Sequence, residues 1–143
     1  MDTIQNTNPG NTNLKTIIEN STCLRRLIAA KLSGFDLSGA DFSRFDLSGT
    51  DFSGADLSGA NLSGANLSAT NFSATNLSGA DLSGADLSHA YLSGACLIEA
   101  NLSSANVENA RFGNNPRISE EIKLDLIRRG ALWAKARDGV MKC

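Results

Sequence analysis

A large apolar residue stands at every fifth position of this chain from Leu32 to Phe112. We call these large apolar residues the centres. A small residue, usually Ala, lies two places before each centre, and Ser usually follows the centre directly. The run from Ala30 to Asn114 contains seventeen such five-residue words without an insertion or a deletion. A helix has an apolar period of 3.6 residues and a strand a period of 2, so neither continuous element fits this pattern.

The order of residues within the word predicts a short extended side followed by a corner. In a word such as residues 55–59, Ala, Asp and Leu point inward, outward and inward, as in an extended segment. The following Ser and Gly suit a turn, because Gly adopts positive φ angles without steric penalty. Repeated turns of one hand would close the chain into stacked coils. The sequence therefore predicts an all-β solenoid.

The repeated word resembles that of the pentapeptide repeat proteins. The resemblance implies a right-handed quadrilateral β-helix with four words per coil, about four coils here, with the centre and the small residue facing inward. Centres would then stack every twenty residues. Phe35 and Phe45 replace the small inward residue in the first coil. We expect them to widen that coil and to pack against an N-terminal cap.

The flanks predict caps, because bare solenoid ends would leave unpaired strand edges. Residues 1–12 are rich in Asn and Thr and are predicted to be disordered. Residues 13–29 carry apolar residues at mostly helical spacing and predict an N-terminal helical cap. The repeat occupies residues 30–114, and residues 115–143 form a predicted C-terminal helical cap and tail.

The C-terminal segment carries clear helix signals. Ser119 can act as N-cap, two acidic residues and two basic residues suit the first and last turns, and Gly130 can end the helix. The stretch 118–130 looks like the C-terminal cap of small pentapeptide repeat proteins abundant in photosynthetic bacteria. The side chains expected to lie on the last coil are Ile122, Leu126 and Ile127. Trp133 is expected to pack back on this cap, with a dimer contact as the alternative.

Charge and cysteine content exclude several classes of protein. The whole chain has a net charge of -2, which gives no general attraction to nucleic acid or membrane. The repeat alone has nine acidic and three basic residues, a net charge of -6. The three cysteines are far apart and favour a reducing compartment over a disulfide framework. With no signal-like start or membrane-spanning run, a cytoplasmic protein is expected.

Five consecutive words carry an outward aspartate, which we call the acidic collar: Asp36, Asp41, Asp46, Asp51 and Asp56. On two faces the later words alternate Asp with Asn, which separates like charges along the stack. The structural interpretation is that these residues support the ladder and solubility. The functional interpretation is a docking surface, and a third is pairing with Arg25 and Arg26 of the N-terminal cap.

The word decays near its end, where His89, Tyr91 and Cys96 occupy outward positions together with Ile98, Glu99 and Glu108. Successive sides of one coil point in different directions, so these residues predict no convergent site, and a metal site has no suitable spacing. We interpret them as drift at tolerant positions. The sequence also lacks nucleotide-binding and catalytic motifs, so we predict no metal, no cofactor and no enzyme activity.

These observations predict a non-enzymatic structural or protein-interaction module with an unknown protein partner. Its candidate interaction residues are the acidic collar, Tyr91 and Trp133. It is expected to be a monomer or a weak dimer through the C-terminal tail, without direct binding to nucleic acid or membrane. The alternative comes from family members that mimic DNA and bind DNA gyrase or topoisomerase IV. The negative charge of the repeat agrees with DNA mimicry, although a solenoid of four coils is short for a mimic of duplex DNA.

Overall fold

Residues 31–134 are described by a computed structural model of the protein. Parallel β-bridges join residues exactly one coil apart, as in the column Asp36, Asp56, Asn76 and Cys96, whose members are twenty positions apart. Four such columns follow one another around the chain. The repeat is therefore a four-sided solenoid, and the predicted stacking of words every twenty residues is confirmed. The predicted disorder of residues 1–12 and the predicted cap of residues 13–29 lie outside the described residues.

Backbone hydrogen bonds in both directions hold each side of a coil to the same side of the next coil. Leu57 donates to the carbonyl of Asn76 at 2.8 Å, and Asn76 donates in turn to the carbonyl of Ala55 at 3.0 Å. Each corner is a β-turn, closed for example by the amide of Ala60 on the carbonyl of Leu57 at 3.0 Å. Gly59 in this turn has a φ of +65°, the value that the sequence pattern requires at the corner.

The outward Asp or Asn of the word stabilises its own corner. Oδ1 of Asn61 accepts a hydrogen bond from the backbone amide of Ser63 at 3.0 Å and from its hydroxyl at 2.6 Å. Oδ1 of Asp41 accepts the equivalent pair from Ser43 at 3.0 and 2.7 Å. The corner uses only an acceptor oxygen, which both side chains provide. Asp and Asn can therefore exchange at this position without disturbing the backbone.

The interior is filled by the Leu and Phe centres and by the small residues two places before them, as predicted. The rings of Phe52 and Phe72 stack with centroids 5.5 Å apart. Phe35 and Phe45 are buried in the first coil, and Phe45 packs edge-on against Phe42 at 5.5 Å. Their predicted packing against an N-terminal cap lies outside the described residues.

Buried threonines in the small position satisfy their hydroxyls inside the stack. The Thr70 hydroxyl donates to the carbonyl of Leu47 at 2.9 Å, and the Thr75 hydroxyl donates to that of Phe52 at 2.7 Å. Each bond joins two neighbouring coils. Thr is thus accepted in an apolar interior because the coil before it presents a carbonyl oxygen within reach.

The chain after the repeat forms a helix and returns to the solenoid. Strand β1 (Arg111–Phe112) is followed by helix α1 (Glu120–Arg128) and by strand β2 (Leu132–Trp133), which pairs in parallel with β1. Ser119 is the N-cap, its hydroxyl accepting from the amide of Ile122 at 3.2 Å. Gly130 has a φ of +96°, which suits its position just after the helix.

The predicted contacts of α1 are only partly correct. Leu126 is 1% exposed, but Ile122 and Ile127 are 48% and 41% exposed, so they do not lie buried on the last coil. The contacts concentrate at the C-terminal turn, where the Arg129 guanidinium donates to the carbonyls of Leu102 at 2.9 Å and Ala105 at 2.6 Å. The helix therefore meets the solenoid near its end rather than along one whole apolar stripe, which the side-chain pattern alone did not reveal.

Candidate interaction surfaces

The acidic collar is spread around the solenoid instead of forming one cluster. Its five members occupy all four columns, and only Asp36 and Asp56 are direct ladder partners. Each member accepts a hydrogen bond at Oδ1 from the backbone amide of the Ser two places later. The collar aspartates thus stabilise the corners of their own words. Its role as a docking surface stays a prediction, and the suggested pairing with Arg25 and Arg26 lies outside the described residues.

Tyr91 and Trp133, in contrast, lie on the same side of the solenoid. We call this side the aromatic face and define it by the column Lys31, Asp51, Asn71, Tyr91 and Arg111, continued by β2. A groove of about 440 Å³ opens near its C-terminal end. The residues that line it are Ser73, Tyr91, Ser93, Arg111, Phe112, Leu132, Trp133 and Ala134.

The groove is built from stacked planar groups. The guanidinium carbon of Arg111 lies 5.2 Å from the centroid of the Tyr91 ring, a cation–π geometry. Trp133 stacks on Phe112 with centroids 5.4 Å apart and an interplanar angle of 4°. The Lys123 ammonium lies 5.4 Å from the Trp133 ring. Trp133 was expected to pack back on the cap helix, but its ring instead extends the stack of Phe centres in the repeat, and Lys123 is the helix residue that lies over it.

Of the eight groove residues, only Tyr91 and Trp133 were among the predicted interaction residues. Arg111 stands twenty places after Tyr91, so the ladder spacing alone could have placed the two side chains together. Leu132 carried no such signal, because the residues between β1 and β2 interrupt the period of five. Trp133 pairs with Phe112 twenty-one places earlier, one residue out of the repeat register.

The decayed words do not converge. His89 and Glu99 occupy corner positions with φ angles of 59° and 58° on different sides of the solenoid. Within residues 31–134, no three His, Cys, Asp or Glu side chains lie together as metal ligands would. His89 and Glu99 therefore remain interpreted as drift at outward sites.

Cys96 corrects the prediction made from cysteine spacing. It is 4% exposed and disulfide-bonded, and its partner lies outside the described residues. The wide separation of the three cysteines along the sequence had suggested three separate thiols. The cysteines therefore do not indicate the compartment of the protein. Residues 31–134 contain no helix long and apolar enough to cross a membrane.

One carboxylate on the repeat surface has a displaced pKa. The hydroxyl of Ser83 donates to Oδ1 of Asp81 at 2.6 Å, and the Ser83 amide donates at 3.0 Å. These two bonds, the hydroxyl first, lower the pKa of Asp81 below its ordinary value of 3.8, against a smaller opposing effect of desolvation. The carboxylate is therefore ionised at neutral pH and is held as a corner acceptor.

Comparison with known proteins agrees with this architecture. The family described as pentapeptide repeats matches in eight copies, over residues 26–64, 65–103 and 75–114. A search of curated proteins finds no match. The crystal structure of alr5209, a pentapeptide repeat protein from Nostoc Pcc 7120, is 35% identical and covers 91% of this chain and 100% of that chain, with a TM-score of 0.58.

Two further solved structures are similar over smaller parts of the chain. Rfr23 from the cyanobacterium Cyanothece 51142 is 38% identical over 56% of this chain and 58% of that chain, with a TM-score of 0.40. AT2G44920 from the Arabidopsis thaliana thylakoid lumen is 30% identical over 73% of this chain and 80% of that chain, with a TM-score of 0.40. Because the family match spans most of the repeat, this chain belongs to the pentapeptide repeat family and folds as its right-handed quadrilateral β-helix.

Proposed function

We propose that this protein is a non-enzymatic module that binds another protein through the outer surface of a rigid solenoid. The observation that carries the proposal is the grouping of Tyr91, Arg111 and Trp133 on one face. Tyr, Arg and Trp are the side chains most enriched among the residues that dominate binding energy in protein interfaces. Elsewhere on the repeat, the outward Asp, Asn and Ser side chains are largely engaged in their own corners.

The interior of the solenoid supports a binding role over a catalytic one. The stacked centres of the middle coils, from Phe42 to Leu92, are fully buried, so side chains fill the space that a substrate or cofactor would need. This packing favours a scaffold whose chemistry is confined to its surface.

We further infer that residues 115–134 act as the C-terminal cap of this module. Two side chains supply hydrogen bonds at the end of the stack, Arg129 as described above and Asn115. The Asn115 amide donates to the carbonyls of Leu92 at 2.6 Å and Ala95 at 3.0 Å. Such bonds occupy the acceptors that would otherwise template another chain, so they favour a monomer or a weak dimer.

Site-specific photo-crosslinking in the native cell tests the proposed function. A photoreactive residue placed at Tyr91 or Asp41 should give discrete cross-linked bands with one or a few proteins. A probe at Asn106, an exposed ladder position in a column that contains neither Tyr91 nor Asp41, is the matched control. Absence of any discrete product from all three positions would contradict the proposal. Products from Asp41 alone would assign the binding role to the acidic collar.

The second candidate function, mimicry of DNA toward gyrase or topoisomerase IV, has one structural observation in its favour. Three of the four columns carry two aspartates and no basic residue at their ladder positions. The expected signature is inhibition of DNA supercoiling, or protection of supercoiling from a quinolone, by the purified protein. Unchanged supercoiling in both assays would eliminate this candidate and leave the first one standing.

A further inference from the structure

We propose that the groove between Tyr91 and Trp133 binds an extended acidic segment of a partner protein. Arg111 would hold a carboxylate of that segment, and Leu132 with Trp133 would hold an adjacent apolar side chain. This inference rests on the proposed function as a protein-binding module and gives the partner a defined chemistry.

The charge of the aromatic face differs from that of the other three. The other columns each hold two aspartates among their ladder positions and no base, whereas this column begins with Lys31 and ends with Arg111. Within residues 31–134, Arg111 has no ion pair with an acidic residue, and its guanidinium is held over Tyr91. A guanidinium held in this way keeps donors that match a carboxylate in a paired geometry.

Two serine hydroxyls beside Arg111 are also available to a ligand. At most corners the Ser hydroxyl donates to the Asp or Asn two places before it, as Ser78 donates to Asn76 at 2.6 Å. Ser73 bonds Asn71 only through its backbone amide, and Tyr91 replaces the acceptor that Ser93 would use. Among the described residues, neither hydroxyl donates to a protein acceptor. Both can therefore donate to carbonyl or carboxylate oxygens of a bound segment.

The apolar part of the groove lies directly beside its charged part. Leu132 is 49% exposed and is the register partner of Arg111, so the two residues stand one strand spacing apart, about 4.8 Å. Trp133 rests on the fully buried Phe112, which fixes its ring in place. Lys123 adds a second cation over that ring. A complementary segment must therefore place an acidic and an apolar side chain within one or two residues of each other.

Binding to immobilised peptides tests this chemistry directly. The probe is a set of short peptides in which Glu lies one or two places from Leu, with copies that carry Gln or Lys instead of Glu. The full-length protein should prefer the Glu peptides to both sets of copies. The best Glu peptide is then titrated in solution by fluorescence anisotropy against the protein and three variants.

Arg111→Gln should weaken binding by about ten-fold or more, since the charged contact is lost. Tyr91→Asn, which restores the word's usual residue, should weaken it less. Arg44→Gln removes the same charge from another face and should leave binding unchanged. Equal binding of Glu, Gln and Lys peptides, no peptide binding, or a loss with Arg44→Gln equal to that with Arg111→Gln would overturn the inference. If crosslinking at Tyr91 still captures a partner that Arg111→Gln does not release, the proposed function stands and only this inference fails.

Discussion

The middle coils and the C-terminal end of the solenoid satisfy the same backbone acceptors with different donors. In the middle, the carbonyl of Ala55 accepts from the backbone amide of Asn76 in the next coil. At the end, the carbonyl of Ala95 accepts from the side chain of Asn115, and that of Ala105 from the side chain of Arg129. A middle coil thus depends on its neighbour. The end depends on the backbone of β2 on one side and on individual side chains elsewhere.

Proline explains one of these replacements. The position that continues the column after Cys96 is Pro116, which has no amide hydrogen to donate. The preceding residue, Asn115, supplies the missing donor through its side chain, and its Oδ1 also accepts from the amide of Gly113 at 2.8 Å. The repeat can therefore stop at this edge without leaving the Ala95 carbonyl unsatisfied. The following predictions test how differently the two regions respond to substitution.

The largest effect is expected from a cavity in the middle coils. Phe72→Ala removes a ring stacked on Phe52 and should lower the free energy of unfolding by about 3–5 kcal/mol. Urea denaturation followed by circular dichroism measures this change. Phe72→Leu is the matched control, because Leu is the usual centre of the word, and it should cost less than about 1.5 kcal/mol. Equal losses for the two variants would show that the ring is not packed as described.

A smaller effect is expected at the end, from loss of a single charged donor. Arg129→Met should lower the free energy of unfolding by about 1.5–3 kcal/mol, since the carbonyls of Leu102 and Ala105 lose their partner. The same denaturation experiment measures it. Arg128→Met removes an equal charge from an exposed position and should change stability by less than about 0.5 kcal/mol. Similar effects of both variants would mean that α1 is stabilised by charge alone and not by these bonds.

Corner residues should show a modest effect of opposite sign. Ala69 has a φ of 55°, where a side chain is disfavoured, so Ala69→Gly should raise the free energy of unfolding by about 0.5–1 kcal/mol. Gly59→Ala is the reverse change at a corner with a φ of +65° and no atom near the added methyl group. It should be destabilising by a similar amount. A thermal denaturation series measures both, and the same sign for the two variants would contradict the corner geometry.

The smallest effect concerns acid stability. The pKa of Asp81 is lowered in the folded protein, so its contribution is present above the ordinary value of 3.8 and is lost as the pH falls through the lower folded value. Asp81→Asn keeps the acceptor oxygen and should lose slightly less stability than the unmodified protein between about pH 6 and about pH 2. Adding Ser83→Ala to each background is the control. It should reduce the pH dependence only where Asp81 is present, and an equal change in both backgrounds would exclude the Ser83–Asp81 bond as the cause.

The repeat could be predicted from the sequence because every word has the same order of inward, outward and turn residues. The inward burial of Leu57 and the corner at Gly59 follow from a period that never breaks. The twenty-residue column of Asp36 and Asp56 follows from the four-word coil that the family resemblance implies. The hydrogen bond from Ser63 to Asn61 was less evident, since a polar pair that recurs from word to word could equally have faced a partner. It emerges only when the corner geometry brings the hydroxyl to the amide oxygen.

The end could be predicted only in part, since its contacts follow no period. Ser119 and Gly130 bound α1 as expected, because caps are local signals. Ile122 and Ile127 were placed wrongly, because a helix pattern does not reveal how the helix docks. The stacking of Trp133 on Phe112 depends on where the chain re-enters the ladder after α1, which local sequence cannot specify.

The twenty-residue register has a consequence for how such a protein can change through evolution. Loss or gain of one five-residue word would leave the interior filled by the same kinds of side chain. It would also turn everything beyond it by a quarter of a revolution relative to everything before it. Arg111 would then leave the column that begins at Lys31 and join a neighbouring one. Duplication and deletion of whole words would therefore determine which surface residues lie on the same face of the solenoid.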